Sequence, residues 1–332
     1  MSVWRDFIST VLLYTDLFSA RVTVMETETV HRQALAQVTR RNKLNELSGR
    51  EWIKFTKSWF VHRPEPRGDR KIRHPASFPE SLVKEFVSFF TKKGEIVVDP
   101  FAGTGSTLVA ALETGRSGIG FEIVKKYADI SKERVRDVLA QRRASKEATK
   151  SKSSWAKIIT ADSAKLSKIW KENAFPPADY CITSPPYWNQ LRRSHMRQKG
   201  RAEKGLDTTY SDNPDEIGNI GDYQDFQHAL KRAFDEVYKV MKPKGYLTII
   251  TNNVFTEGKM YPLAFDTVST LSKEPFAWTP KDEKVWCQDD KTLLPLGVFN
   301  AWVGNRHHQY CLIFRKEGQP TAVPSMNVLK KG

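Results

Sequence analysis

The amino-acid sequence of 332 residues predicts an α/β protein with a Rossmann-like, mostly parallel sheet. From Glu95 onward, short apolar runs alternate with helical patterns, which is typical of parallel strands joined by crossover helices. A proline and two glycines separate the first of these strands from the helix that follows, at the position where open α/β sheets bind their ligands. The length is sufficient for one large domain or two small ones.

Six strands and three helices can be placed along this series. Short apolar runs bounded by polar or turn-forming residues predict the strands, at 95–99, 118–122, 156–160, 179–183, 246–251 and 310–314. Amphipathic spacing predicts the helices, at about 104–113, at 124–143 and at 223–241. A Lys-Pro-Lys-Gly turn at 242–245 is expected to end the third helix.

The rest of the chain divides into flanking regions. Residues 1–70 are mixed helical, basic and aromatic, and we interpret them as a region that contacts nucleic acid or a second subunit. Residues 71–318 are expected to form the catalytic domain, and 319–332 a C-terminal tail. A Lys- and Ser-rich stretch at 143–154 is predicted to be an exposed loop.

Basic residues are in excess and are clustered. Lys and Arg number 53 against 38 Asp and Glu, which gives a net charge of +15. Twelve basic residues stand against four acidic ones at 31–73, and six against one at 188–204. A soluble protein that is merely basic would have the same net charge, but clustering is typical of a surface that binds a polyanion such as a nucleic acid.

Cysteine usage and hydropathy exclude several other classes. Three widely spaced cysteines without a C-x-x-C pair indicate neither a disulfide framework nor a zinc site, and are typical of a reducing cytoplasm. Cys181 and Cys311 lie in apolar runs and are expected to be buried. The N-terminal apolar segment is interrupted by Asp6 and Asp16 and is too short to span a bilayer, so we expect no membrane association.

The first motif with a chemical meaning is Asp-Pro-Phe-Ala-Gly-Thr-Gly-Ser at 99–106. A strand ends at Asp99, a proline prevents further pairing, and Gly103 and Gly105 let the backbone approach a ligand at the next helix's N-terminus. A G-x-G turn alone is weak evidence, because many tight turns contain it. Glu122 ends the following strand, where its carboxylate can accept hydrogen bonds from both hydroxyls of a ribose. Together these features favour an adenosine-containing cofactor over a bare turn.

The second motif is Thr-Ser-Pro-Pro-Tyr at 183–187, directly after a predicted strand. Two prolines fix the backbone, so that the Ser184 hydroxyl and the Pro185 carbonyl form a rigid pair of acceptors for the two hydrogens of an amino group. Tyr187 offers a ring face for a flipped base. A polar Pro-Pro turn without function is the alternative, and the position of this motif after the first one disfavours it.

With these two motifs the chain resembles the DNA amino-methyltransferases that act on cytosine N4 or adenine N6, over about residues 72–316. The segments 73–80, 120–123 and 162–163 are also similar to elements that hold the cofactor in that family. The resemblance implies a Rossmann-like class I methyltransferase fold, with a seven-stranded sheet and 310–314 as an antiparallel edge strand. It further implies S-adenosylmethionine as the cofactor and no metal.

The resemblance assigns roles to individual residues. It implies cofactor contacts for His74, Ser77, Asp99, Pro100, Phe101, Ala102, Gly103, Gly105, Ser106, Glu122, Ile123, Asp162 and Ser163. It implies catalytic roles for Ser184, Pro185, Pro186 and Tyr187. The basic clusters predict DNA contacts for Lys54, Lys57, Trp188, Arg192, Arg193, Arg197, Lys199 and Arg201.

The favoured substrate is the N4 amine of cytosine in double-stranded DNA, reached by base flipping. Family members that act on adenine more often carry Asp at the position of Ser184, whereas Ser is more common for cytosine. N6-adenine methylation, RNA base amino-methylation and a non-catalytic nucleic-acid-binding role stay open as alternatives. A cognate restriction endonuclease is a candidate partner, the expected location is the cytoplasm at the nucleoid, and both a monomer and a homodimer are open.

The chain departs from the family pattern in one respect. Neither place where the family inserts a target-recognition domain has room, because about twenty residues separate Asp162 from Thr183 and fewer follow Lys316. Target recognition is therefore expected from other segments, namely the basic N-terminal part, 188–221 and 256–307.

Overall fold

The computed structural model describes residues 42–63, 78–144, 154–193, 199 and 202–317. Four predicted site residues lie outside the described residues, namely His74, Ser77, Arg197 and Arg201. The predicted tail, 319–332, also lies outside them. Within the described part of the chain, no helix is long and apolar enough to cross a membrane. The chain divides into two compact units, with the boundary between Thr56 and Lys57.

The described part of the first unit, residues 42–56, ends in a short helix, α1 (Gly49–Phe55). This helix begins with a reciprocal cap between Ser48 and Glu51. The Ser48 hydroxyl oxygen accepts a hydrogen bond from the Glu51 N–H (3.4 Å), and the Glu51 carboxylate accepts one from the Ser48 N–H (2.8 Å). Local capping therefore fixes where this helix begins.

The second unit is built on a large sheet. Its strands, with those of a separate hairpin, are β1 (Trp59–Val61), β2 (Ile96–Asp99), β3 (Ser117–Glu122), β4 (Ala156–Thr160), β5 (Ala178–Thr183), β6 (Met241–Thr251), β7 (Val254–Thr256), β8 (Lys259–Tyr261), β9 (Thr279–Cys287) and β10 (His308–Arg315). β7 and β8 form the hairpin, and the other eight strands lie in the order β1-β9-β10-β6-β5-β2-β3-β4. Neighbouring strands pair in parallel except at β10, which is antiparallel to both β6 and β9.

The Rossmann-like, mostly parallel sheet predicted from the sequence is confirmed, and its details are corrected. The described residues contribute eight strands rather than seven, and β10 lies inside the sheet rather than at its edge. The sequence pattern misses β9 because its first half, 279–283, is polar and mostly exposed. It misses β1 because three residues are too few for a periodic signal, although 59–61 extend the sheet beyond β9. The residues 242–245, predicted as a turn, belong to β6.

Helices pack against the sheet in two groups. They are α2 (Glu80–Phe90), α3 (Ser106–Glu113), α4 (Lys125–Ala144), α5 (Leu166–Glu172), α6 (Gln190–Arg193), α7 (Tyr223–Val240) and α8 (Leu263–Leu271). α3 packs between α2 and α4, whereas α7 packs against α5 and α8. Phe234 of α7 shares one buried cluster with Val98, and Leu108 of α3 shares another with Ile158. This arrangement leaves the carboxyl ends of β2 to β5 side by side at one edge of the sheet.

Candidate active site

A cavity of about 310 Å³ opens at the carboxyl ends of β2, β3, β4 and β5. The predicted residues that line it are Pro100, Phe101, Ala102, Gly103, Ser106, Glu122, Ile123, Asp162, Ser163, Ser184, Pro185, Pro186, Tyr187 and Trp188. Most of the predicted cofactor residues and all four predicted catalytic residues therefore meet at one cavity. Within the described residues, no group of three or more His, Cys, Asp or Glu side chains is placed to hold a metal ion.

Asp99 does not line this cavity, although the sequence predicts that it contacts the cofactor. Its carboxylate is fully buried and accepts hydrogen bonds from the Phe101 N–H (3.0 Å), the Thr107 hydroxyl (2.6 Å) and the Thr183 hydroxyl (2.6 Å). Burial raises the pKa of Asp99 to about 6, against the effect of these three donors. Asp99 thus positions the loop after β2 and the end of β5 relative to each other.

Gly105 also lies off the cavity, and its role is one of packing. It precedes α3 with a φ of +83°, in the left-handed region that favours glycine. A Cβ atom at this position would lie 2.1 Å from Ser131 Oγ and 3.0 Å from Ser131 Cβ. The glycine therefore permits close approach of α4 to the loop.

A second set of contacts fixes the same loop from the start of α2. Ser106 Oγ donates a hydrogen bond to Glu80 Oε1 (2.8 Å), and the Arg134 guanidinium forms a 2.6 Å ion pair with the same oxygen. Arg134 also donates to the Thr104 carbonyl (2.5 Å). Glu80 is the last residue of the segment 73–80 that resembles a cofactor-holding element. Through these contacts it helps to hold the loop after β2 in place.

Glu122 is the buried acid at the cavity. Its two carboxylate oxygens accept hydrogen bonds from the Gly103 N–H (2.7 Å) and the Val124 N–H (2.8 Å). The pKa of Glu122 is raised to about 8, chiefly by burial and to a lesser extent by the nearby carboxylates of Glu216 and Asp99. Glu216, which the sequence analysis did not single out, lines the same cavity and has its own pKa raised by burial.

The residues present fit an adenosine-containing ligand. A carboxylate can accept about four hydrogen bonds, so Glu122 keeps acceptor capacity for two hydroxyl groups after its two backbone contacts. Thr104 Oγ1 is buried at the cavity and has no hydrogen-bond partner among the described residues. A bound polar ligand would satisfy such a group, whose isolation is otherwise unfavourable.

The predicted catalytic motif carries a chain of hydrogen bonds. Ser184 Oγ and the Tyr187 hydroxyl lie 3.1 Å apart, and the Tyr187 hydroxyl donates to Gln309 Oε1 at 2.9 Å. Burial raises the pKa of Tyr187, so the phenol stays protonated. Gln309 comes from β10, far along the chain, and with Gln288, Lys291 and Trp286 it forms a wall of the cavity that sequence reasoning missed.

Trp188, which the sequence predicts to contact DNA, is buried at the cavity. This side chain is 3 % exposed and packs against the rings of Tyr223 (5.1 Å between centroids) and Tyr261 (4.7 Å). Trp188 is therefore part of the cavity wall rather than an exposed surface residue, and its contact with DNA stays a prediction.

The basic residues predicted to contact DNA are only partly described. Lys54, Lys57 and Lys199 are exposed, and the Lys57 ammonium lies 3.5 Å from the centre of the Trp59 ring. Arg192 and Arg193 lie in α6, and their side chains lie outside the described residues. Of these residues, Lys57 and Lys199 have described side chains in the second unit, and neither lines the cavity.

The sequence profile of the N6/N4 DNA methylase family matches residues 25–133 and 178–331, more than three quarters of the chain. The chain belongs to this DNA methylase family. The matched ranges include both motifs and the β10 strand that carries Gln309.

Individual relatives match shorter parts of this chain. It is 42 % identical over 68 residues to the orphan methyltransferase M.BamHII of Bacillus amyloliquefaciens, covering 20 % of this chain and 26 % of that protein. It is 34 % identical over 110 residues to the type II methyltransferase M.BglI of Bacillus subtilis, covering 32 % of this chain and 30 % of that protein. These matches therefore span about a quarter to a third of the curated relatives. Among solved structures, TrmN from Thermus thermophilus aligns with a TM-score of 0.41 and 14 % identity, covering 71 % of this chain and 48 % of that chain.

Proposed function

We propose that this protein transfers a methyl group from S-adenosylmethionine to the exocyclic N4 amine of cytosine in double-stranded DNA. The observation that carries the proposal is the hydrogen-bond chain from Gln309 through Tyr187 to Ser184, on the wall of the cavity that also contains Glu122. Family membership supports DNA as the substrate. The serine at 184, where adenine-specific members more often have Asp, supports cytosine.

The direction of the hydrogen bonds prepares Ser184 as an acceptor. A phenol has a single hydrogen, and that of Tyr187 points to Gln309 Oε1. The Ser184 hydroxyl must therefore be the donor in its contact with the Tyr187 oxygen. This leaves the lone pairs of Ser184 Oγ available for a hydrogen of the target amine, and the Pro185 carbonyl supplies the second acceptor.

These acceptors address the main difficulty of the reaction. The amine of cytosine is a poor nucleophile, because its lone pair is delocalised into the ring. Ser184 and Pro185 hold the two amine hydrogens out of the ring plane, which localises the lone pair on the nitrogen and orients it. S-adenosylmethionine, when bound, supplies an electrophilic methyl group on a sulfonium. The amine proton leaves to solvent after the transfer.

No covalent adduct between the protein and the base is needed for this route. The nearest cysteine in sequence, Cys181, is fully buried in β5, and burial holds the pKa of its thiol well above the ordinary value. A protonated, inaccessible thiol cannot add to a ring carbon, as methylation of cytosine at carbon requires. The site therefore favours direct transfer to the exocyclic nitrogen.

We assign the cofactor to the half of the cavity formed after β2, β3 and β4. Glu122 would accept hydrogen bonds from the ribose hydroxyls, and Asp162 and Ser163 lie at the end of the adjoining strand. Phe101 would pack against the adenosine, and its ring is held edge-on against Phe234 (6.2 Å between centroids). The target base would enter beside Tyr187, whose ring offers a stacking surface.

Product analysis tests the proposal directly. Duplex DNA is incubated with the protein and methyl-labelled S-adenosylmethionine and then digested to nucleosides, which are separated by chromatography. We expect label in N4-methylcytosine. Label in N6-methyladenine or in 5-methylcytosine would overturn the assignment of the amine, and label transferred only to RNA would overturn the assignment of the substrate. Ser184→Ala is the matched control, because it should bind the cofactor normally and lose turnover.

A further inference from the structure

The connection between β9 and β10, residues 288–307, carries exposed apolar side chains. Phe299 is fully exposed, and Trp302 is 93 % exposed. The same β9–β10 loop exposes further apolar residues, namely Leu293, Leu294, Leu296 and Val298. Scattered exposed apolar residues are ordinary, but a contiguous group with two large aromatic rings marks an interaction surface.

The tip of the β9–β10 loop has a defined shape. Gly297 adopts a φ of +63°, and its carbonyl accepts hydrogen bonds from the Asn300 N–H (3.0 Å) and the Ala301 N–H (2.9 Å). A Cβ at Gly297 would lie 2.3 Å from the Ala301 carbonyl oxygen, so the turn requires glycine. The Asn305 side chain spans the loop by bonding both the N–H and the carbonyl of Leu294, each at 2.8 Å. The two aromatic rings are thus presented by a hydrogen-bonded turn.

Both ends of the β9–β10 loop belong to the candidate active site. Gln288 and Lys291 line the cavity at its start, and Gln309 lines the cavity just after its end. The Gln288 N–H donates to the His307 carbonyl (2.7 Å), which closes the base of the loop. The loop that carries Phe299 and Trp302 therefore begins and ends at the cavity in which we place the target base.

The β9–β10 loop carries two basic residues, Lys291 and Arg306, and two acidic ones, Asp289 and Asp290. The basic excess that favours a polyanion therefore belongs to the chain as a whole, which has a net charge of +15. The acidic Asp289 on the same loop is paired with Arg63 at 2.8 Å. Apolar rings beside basic side chains are the combination that inserts between base pairs while the phosphates are held.

We propose that Phe299 and Trp302 insert into the DNA duplex beside the target and fill the space that the flipped base leaves in the stack. This inference rests on the proposed function, since it requires a flipped base in the cavity. Extruding a base has a cost in lost stacking, which is smaller when the base is mismatched. A rigid aromatic ring that stacks on the neighbouring bases offsets part of this cost, because every base offers a π face.

The test compares two duplexes, once the methylated site has been mapped by sequencing the modified product. One duplex has the target base correctly paired, and the other has it mismatched. We expect Phe299→Ala with Trp302→Ala to lower kcat/KM on the paired duplex by ~10-fold or more, and to restore it to within about 2-fold of the unaltered protein on the mismatched duplex. Gly297→Ala, which keeps both rings but disrupts the turn, should show the same pattern. Phe265→Ala, which removes a half-exposed aromatic residue on α8, is the matched control and should have no effect.

The outcomes separate this inference from the proposed function. Two results would show that the rings do not insert into the duplex. In both, the unaltered protein methylates DNA, and the double variant either loses activity equally on the two duplexes or keeps full activity on both. If sedimentation shows that the unaltered protein is a dimer and the double variant a monomer, the surface is a subunit interface and the inference is wrong. Absence of DNA methylation by the unaltered protein overturns both proposals. Unchanged cofactor affinity in each variant establishes that the fold is intact.

Discussion

Gln309 offers the sharpest test of how the site activates an amine. In Gln309→Leu, the Tyr187 hydroxyl loses its acceptor at 2.9 Å and can turn to donate to Ser184 Oγ, 3.1 Å away. That hydrogen bond would occupy a lone pair that the target amine needs. A neutral hydrogen bond contributes about 0.5–1.5 kcal/mol, which corresponds to a roughly 2- to 10-fold decrease in kcat. Ser184→Ala should cost more, ~10²-fold, because it removes the acceptor itself.

The assay is methyl incorporation into duplex DNA, with cofactor affinity measured in parallel by titration calorimetry. Gln309 acts through the phenol of Tyr187, so it is a positioning residue rather than a catalytic one. In a Tyr187→Phe background, Gln309→Leu should therefore have no further effect on kcat. Gln224→Leu, at an exposed glutamine at the start of α7, is the control and should be silent. The relay from Gln309 to Ser184 would be refuted if the losses in kcat from Tyr187→Phe and Gln309→Leu multiply in the double variant. An unchanged kcat in Gln309→Leu alone would refute it as well.

Three further predictions concern the cofactor, the chemistry and the DNA. Since burial raises the pKa of Glu122 to about 8 and ribose hydroxyls pair with its ionised form, affinity for S-adenosylmethionine should rise from pH 6 to pH 8 and level off above. Calorimetry should find this dependence abolished in Glu122→Gln, and a flat profile in the unaltered protein contradicts the assignment. Cys181→Ser should be nearly silent in the methylation assay, whereas a folded but inactive variant would point to methylation at carbon. Neutralising four basic residues after the predicted catalytic motif should lower the slope of log binding constant against log salt concentration by ~3–4 units. These residues are Arg192, Arg193, Arg197 and Arg201, and an unaltered slope means that they do not contact DNA.

Local patterns were sufficient for the half of the sheet that holds the cofactor motif. The strand predicted at 156–160 has those bounds in the structure, and those predicted at 95–99 and 179–183 differ by one residue at one end. These strands are apolar runs buried between helices, so their sequence pattern and their structure coincide. The two motifs follow β2 and β5 directly, and parallel neighbours bring them together. The parallel sheet that the sequence predicts is therefore sufficient to bring both motifs to one cavity.

The other half of the site has no such local signal. β9 begins with exposed polar residues and is a strand because β1 and β10 pair with it on either side. Gln288 and Gln309 lie at the cavity only because β9 and β10 are antiparallel neighbours, so the end of β9 and the beginning of β10 meet at one edge of the sheet. A glutamine in a sequence has no spacing that predicts a ligand, since its role depends on distant neighbours. Trp188 shows the converse, because its position beside a basic cluster suggests an exposed residue, whereas its side chain is buried in the cavity wall.

Asp99 explains why the two motifs keep a fixed relation despite lying more than eighty residues apart. One carboxylate oxygen accepts from Phe101, in the loop after β2, and from Thr183, the residue before Ser184, and the other accepts from Thr107 in α3. Methyl transfer depends on the distance and angle between the methyl donor and the amine, so a shift of one loop relative to the other would misalign them. A buried carboxylate that three donors satisfy holds this relation without touching either reactant. Asp99 does not line the cavity, but the proposed methyl transfer can still require an acid at this position.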